Sequence, residues 1–380
     1  MSTPPVAGPH DDLTDVAGVR VGHHHRVGRG WRTGTTVVLL PPGSVGGVDV
    51  RGGGPCTRET DALAPGTLVE AVHAVCLSGG SVFGLAAASG VTDWLAGRGV
   101  GLPVGPGAAE VAPIVPAACL FDLLAGAWDR RPDAGFGRAA AEDAAGPGGS
   151  GSVALGSVGA GAGARSGPFA GGVGSASALV AAAPDRTAAP AGVTVAALAV
   201  VNSAGSPVDP LTGRLYGSDL LLAGEAPGLQ APEQAEVDAA RSASPPADRP
   251  GRGATVLVVV ATDAALGQAE CTRVAMASHD GLARALRPAH GLTDGDVVFA
   301  VSTGAVRPVA GVGPPPGLLR VGPAGVAYLG EVMAAAADVV TRACVRAVLA
   351  AGGREGLPSY RDRYPSAWPG PGPQDRYPGM

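Results

Sequence analysis

Thr255 opens the apolar run "TVLVVVATDAAL" directly behind a Pro/Gly/Arg-rich stretch, "RPGRGA". A threonine at the first position of a buried strand, behind pliable backbone, can bring its hydroxyl onto the carbonyl of Ala254. The ester formed in that way would hydrolyse and leave Thr255 as a new N-terminus. Its α-amine, with an intrinsic pKa of about 8, could then serve as general base for the hydroxyl of the same residue. β-branched residues also begin strands for packing alone, so position by itself leaves both readings open.

Two further groups have the right chemistry. Asp294 and Asp296 stand two apart in "HGLTDGDVVFAVST", a spacing that puts side chains on one side of extended backbone. Such a carboxylate pair can orient a hydroxyl and an amine and set their protonation, although Asp-Gly is equally a common turn pair. Asn202 closes the apolar run "VTVAALAVVN". An amide at the lip of a buried strand can donate to an oxyanion or cap the turn that follows.

Other motifs carry less. In "GSVGAGAGARSG" neither GK[ST] nor a clean GxGxxG is present, so a nucleotide loop is not supported. Gly159, Gly161 and Gly163 are read instead as allowing close backbone approach beside a substrate, or as exposing amide N–H groups. The histidines at 23 to 25 alternate faces in a strand and lack a partner at ligand spacing, so no metal site is expected. Ser81 in "LSGGSVFG" is not in a GxSxG setting and reads as the cap of the following helix.

These residues need a scaffold. The pattern predicts strands over 19 to 25, 34 to 42, 192 to 202, 255 to 261 and 297 to 302, and helices over 81 to 96, 136 to 145, 267 to 287 and 328 to 351. Residues 1 to 12 and the Pro-rich 361 to 380 read as loose ends, and 224 to 254 as a linker. Strand 255 to 261 is apolar on both faces and needs layers above and below it. The segments on either side of the linker are therefore expected to share one core.

Composition excludes several functions. Among 380 residues the net charge is −5 and the pI about 5.8, without a basic face for nucleic acid or anionic lipid. The chain has no lysine, so no lysine base, Schiff base or phosphate clamp is possible. Cys56, Cys76, Cys119, Cys271 and Cys344 form no CxxC pair and predict free thiols in a reducing compartment. The opening "MSTPPVAGPHDDLTD" lacks a basic start and an apolar run, and no apolar segment reaches a membrane-spanning length. A cytoplasmic protein without cofactor is the expectation.

Taken in order, "DLTDVAGVRVGH", "RGGGPCTRETDAL", "LSGGSVFGLAAASGV", "VPAACLFDL", "VVNSAGSPVDPLTGR", "ATVLVVVATDAAL" and "HDGLARALRPAHGLTDGDVVFAVST" resemble the self-processing peptidase family of L-aminopeptidase D-amidase/D-esterases, β-peptidyl aminopeptidases and nylon-oligomer hydrolases. The match runs from about residue 12 to 350. The resemblance implies an α/β (α+β) fold, a four-layer αββα sandwich of mixed sheets. It also implies autocleavage between Ala254 and Thr255 into chains 1–254 and 255–380, and a homo-oligomer of the cleaved protomers.

Carried onto matching positions, Thr255 is the nucleophile and Asn202 the oxyanion holder. Asp294 and Asp296 fall where one branch has Ser and Glu and the nylon-oligomer branch has two aspartates. A tyrosine lining the family's site falls at or beside Phe121, and a lysine of the nylon-oligomer branch would lie near Pro168. Ala254 stands where that branch commonly has Asn. The activity implied is hydrolysis of amide bonds in small peptides or peptide-like amides through an acyl-threonine. The other reading is a silent relative serving as an oligomeric binding or scaffold protein.

Overall fold

The strand that begins at Thr255 sets the architecture. In the computed structural model, which describes residues 6–180, 192–243, 253–306 and 323–368, it lies in the middle of a five-stranded sheet. One sheet contains β1 (Arg20–Gly28), β2 (Trp31–Leu39), β4 (Thr57–Arg58), β5 (Ala74–Ser78) and β6 (Ala117–Cys119), in the order β1-β2-β5-β6-β4. The other contains β3 (Val45–Val50), β7 (Gly172–Val180), β8 (Val193–Asn202), β9 (Thr255–Ala264) and β10 (Val297–Val306), in the order β7-β8-β9-β10-β3. Both sheets are mixed: β9 is antiparallel to β8 and parallel to β10, and β5 is parallel to β6.

Alternation along β9 shows why both its faces are apolar. Leu257, Val259 and Ala261 join Leu77, Leu120 and Leu198 in the layer between the sheets, while Val256, Val258 and Val260 face the outer helices. Those helices are α4 (Gln268–Ala285) and α5 (Pro323–Ala350), packed on the second sheet. On the other side α1 (Ala86–Ala96) and α2 (Ala134–Ala145) cover the first sheet. The result is the four-layer αββα sandwich. Residues from both sides of Thr255 fill the same two core layers.

With only 4% aromatic residues, this interior depends on backbones coming close. A Cβ on Gly174 of β7 would lie 2.0 Å from Ala343 O and 2.4 Å from Ala347 N of α5. The Ala-rich face of α5 can therefore sit directly on the strand, and any larger residue at 174 would lift it.

Several boundaries differ from expectation. Strands β9 and β10 run past 261 and 302 because their polar residues bond within the sheet layer: Thr262 Oγ1 donates to Thr194 O at 2.7 Å and Ser302 Oγ to Ala264 O at 2.5 Å. Helix α5 starts at Pro323. The 224 to 254 segment is not a linker throughout. It contains α3 (Gln234–Ser242) with Val237 buried, and Ala226 and Leu229 pack on the core; residues 244 to 252 lie outside the described residues.

The described residues near both ends are also tied down, and residues 1 to 5 lie outside the described residues. Asp11 pairs with Arg342 at 2.7 Å and with Arg346 at 2.8 Å, and Gly8 N donates to Ser177 Oγ. Arg342, 2% exposed, also meets Glu225 at 2.8 Å. At the other end, α6 (Tyr360–Arg363) and the turn after it bury Tyr360, Tyr364 and Trp368. Tyr360 Oη donates to Gly213 O at 3.0 Å and Trp368 Nε1 to Pro227 O at 2.9 Å. The expected loose end thus does not include 361 to 368, and 369 to 380 lie outside the described residues. Among the described residues no helix is long and apolar enough to cross a membrane.

Candidate active site

Where β8 ends and β9 begins, Asn202 and Thr255 are direct cross-strand partners. Ahead of β10 the chain passes the same edge, and Ala254 pairs with Asp294 in a parallel bridge. Ala254 N donates to Thr293 O at 3.1 Å, and Gly295 N donates to Ala254 O at 2.7 Å. The carbonyl that receives this N–H is also the one touched by Thr255, whose Oγ1 donates to Ala254 O at 2.5 Å. Thr255, Asn202, Asp294 and Asp296 are each at most 4% exposed, so these polar contacts act in a low-dielectric setting.

The two aspartates are held differently. Asp296 Oδ1 accepts from Val256 N at 2.8 Å, and Oδ2 accepts from His290 N at 3.1 Å and His290 Nδ1 at 2.8 Å. Asp294 Oδ2 accepts from Gly291 N at 2.7 Å, whereas its Oδ1 is buried without a hydrogen-bond partner. Burial raises the Asp294 pKa above the usual carboxylate value; the Gly291 N–H opposes this and the charge of Asp296 adds to it. Among the described residues neither carboxylate bonds the Thr255 hydroxyl, which is given to Ala254.

Asn202 is also engaged. Its Oδ1 accepts from Arg165 N at 3.0 Å and its Nδ2 donates to Phe121 O at 3.2 Å. Phe121 is half-buried beside Gly253: a Cβ on that glycine would lie 3.2 Å from Phe121 Cβ. Next in the chain, Asp122 is buried with Gly80 N on its Oδ1 at 2.6 Å. Burial pushes its pKa up to about 6, against opposing hydrogen bonds from Thr33 and Gly80.

The structure thus gathers Thr255, Ala254, Asp294, Asp296, Asn202 and Phe121. It does not place all three glycines there. A Cβ on Gly159 would strike Thr36 Oγ1 and His23 Nδ1, and one on Gly161 the Gly172–Val173 backbone. Both are buried packing positions between elements, a correction to the substrate-facing role expected for them. Gly163 lies against Arg32 O and Asp122, one residue from Phe121. Ser81 does not cap its helix: Gly80 holds the cap position and Ser81 follows with φ of 53°, its N–H donated to Leu120 O at 2.9 Å. In the histidine run, His23 is half-buried with Nδ1 3.0 Å from Thr36 Oγ1, and loss of solvation lowers its pKa to about 4.

Gly295 and His290 were not singled out in the sequence. Both stand in "HGLTDGD", and the signal was the glycine between two aspartates. A Cβ there would lie 2.6 Å from Thr255 Oγ1.

The fold is a mixed-sheet αββα sandwich with Thr255 at the start of an inner strand. Residues 11–359 match peptidase family S58; the chain belongs to this family. It is 47% identical over 369 residues to an uncharacterized aminopeptidase of Mycobacterium bovis, covering 94% of this chain and 99% of that one. It is 30% identical over 299 residues to a 6-aminohexanoate-oligomer endohydrolase of Kocuria sp., covering 76% and 74%. Among solved structures, the L-aminopeptidase D-Ala-esterase/amidase of Ochrobactrum anthropi, a variant of the Ntn hydrolase fold, superposes with a TM-score of 0.67 at 23% identity over 94% of this chain and 93% of that one. A β-aminopeptidase of Burkholderia sp. gives 0.66 at 23% identity, covering 100% and 98%.

Proposed function

We propose that this chain is a self-processing aminopeptidase or amidase with Thr255 as nucleophile. The observation that carries the reading is one carbonyl with two donors: Ala254 O receives the Thr255 hydroxyl at 2.5 Å and Gly295 N–H at 2.7 Å. In the first step Thr255 Oγ1 adds to the Ala254 carbonyl carbon and its proton passes to the carboxylate of Asp294. Gly295 N–H takes the negative charge that develops on oxygen. The C–N bond then breaks, the proton goes to the departing amine, and water hydrolyses the resulting ester to free Ala254 as a carboxylate.

The cleaved Thr255 has hydroxyl and α-amine on one residue. The amine takes the hydroxyl proton as Oγ1 attacks a substrate amide, gives it to the leaving amine, and then activates water against the acyl-threonine. Asp296, bonded to the adjacent Val256 N–H, fixes the start of β9. Asn202 is the side-chain donor to the substrate oxyanion. The acyl group would take the place of Gly253 and Ala254, against Phe121, and the aminopeptidase and amide-hydrolase names of the relatives suggest small peptides or peptide-like amides. Five free cysteines are consistent with a cytoplasmic enzyme; a homo-oligomer of cleaved protomers completes the reading.

Denaturing electrophoresis with N-terminal sequencing tests this. Two fragments, the smaller beginning at Thr255, are expected, along with hydrolysis in a panel of aminoacyl p-nitroanilides. Thr255→Ala should remain one chain and be inactive. Fragments or turnover from that variant would place the nucleophile elsewhere.

A further inference from the structure

We propose that His290 is a positioning residue that divides the work between the two aspartates, holding Asp296 as a fixed acceptor and leaving Asp294 to carry the proton. The proposal rests on the reading of Thr255 as the self-cleaving nucleophile.

The argument starts from what surrounds Asp296. One residue, His290, supplies two of its three hydrogen bonds, through backbone N at 3.1 Å and ring Nδ1 at 2.8 Å, both to Oδ2. A side chain and its own backbone N–H reach one oxygen only with the chain bent back, and His290 has φ of 59°, in the left-handed region. That strained conformation is retained at a position where it aims two donors together.

The ring orientation is also held. His290 Nε2 is buried without a hydrogen-bond partner. A proton there would be an unsatisfied buried donor, so the ring proton belongs on Nδ1, facing Asp296. The His279 ring of α4 meets the His290 ring edge-on, with centroids 4.8 Å apart. His279 is anchored in turn by Nε2 on Asp49 O at 3.2 Å, and burial lowers its pKa to about 4, so it packs as a neutral ring. With Oδ1 held by Val256 N and Oδ2 held twice by His290, Asp296 is fixed in orientation as an acceptor. Asp294 is held less firmly, with Gly291 N on Oδ2 and only a weaker approach of the Ala204 backbone besides, and it is the member we assign to exchange a proton with Thr255.

The test compares wild type, Thr255→Ala, His290→Ala and His290→Asn. Asparagine tolerates positive φ, and its Nδ2 stands at the same bond distance from the backbone as the imidazole Nδ1. A lost hydrogen bond to a charged group predicts self-cleavage and turnover slowed about 10- to 100-fold in His290→Ala, with His290→Asn recovering to within about threefold of wild type at equal melting temperature. Wild-type rates in His290→Ala, or His290→Asn as slow as His290→Ala while folded, would overturn the proposal. Nitrogen-proton correlation spectra of the imidazoles give a second readout: His290 should carry its proton on Nδ1, and a proton on Nε2 alone refutes the assignment. Cleavage in Thr255→Ala would instead bring down the underlying reading, so the two failures are distinct.

Discussion

Gly295→Ala should slow self-cleavage by about two orders of magnitude without unfolding the protein. The added Cβ would stand 2.6 Å from Thr255 Oγ1, 2.7 Å from Gly54 O and 3.2 Å from Pro55 Cα, where ordinary contact begins at 3.4 Å. Relief therefore requires a shift of roughly 0.8 Å, the difference between 3.4 and 2.6 Å. Thr255 cannot easily supply it, since its χ1 is restricted by β-branching and its strand is paired on both sides. Gly54 is fixed by its N–H on Asp294 O at 2.7 Å. The 293–296 segment must move, and with it the Gly295 N–H leaves the Ala254 carbonyl. A misplacement of about 1 Å costs on the order of 100-fold in rate, and loss of an oxyanion donor a similar amount or more. The packing cost should be about 1–3 kcal/mol. Cell-free synthesis followed by timed denaturing gels measures the rate, and thermal melting checks the fold. A variant that cuts at the wild-type rate and melts normally would refute the assignment of Gly295 as donor.

Asn202→Asp keeps an acceptor for Arg165 N but loses the donor; turnover on an aminoacyl p-nitroanilide should fall about 100-fold, and self-cleavage, served by Gly295, much less. Equal losses in both would count against separate donors. Asp122→Asn should stabilise the fold at pH 7 by an amount on the order of 2–3 kcal/mol, because the Asp122 pKa is raised from 3.8 to about 6 by burial. The folded carboxyl binds its proton more tightly than the unfolded one, so wild-type stability rises as pH falls from about 6 toward 3.8 and the advantage of the variant shrinks over that window; denaturant titrations across it showing no such convergence would contradict the cause. Arg342→Leu leaves Asp11 and Glu225 without their buried cation and should cost about 3–5 kcal/mol, read as a fall in the denaturation midpoint; an unchanged midpoint would show the pairs to be energetically idle.

What the sequence revealed follows from how much each element depends on distant partners. Strand β9 was legible because an unbroken Val-rich run has few other uses, and the placing of Asp294 and Asp296 beside its start because their spacing of two sets both on one side of extended backbone. Helix α3 was hidden, since Val237 is its one buried residue in a segment dominated by Pro, Ala and charge. The C-terminal segment was misread for a related reason: its stability comes from Tyr360, Tyr364 and Trp368 meeting a surface formed far upstream, which local composition does not encode. Gly159 and Gly161 read as permitting close approach beside a substrate or exposing amide N–H groups, yet the neighbours that come close to them, Thr36 and Gly172, belong to elements that local sequence does not identify. His290 was missed because its meaning lies in a positive φ and a ring contact, neither written in residue type.

The placement of β9 between β8 and β10 has a consequence for the life history of the molecule. A chain severed ahead of Thr255 still has that strand zipped to one neighbour from each fragment, so it loses connectivity without losing shape. Refolding after denaturation, unimolecular for the uncut polypeptide, becomes an encounter between two pieces that dilution disfavours. Under the proposed self-cleavage, the uncut chain is the form suited to reaching this architecture unaided, and a severed one would persist by the slowness of its coming apart.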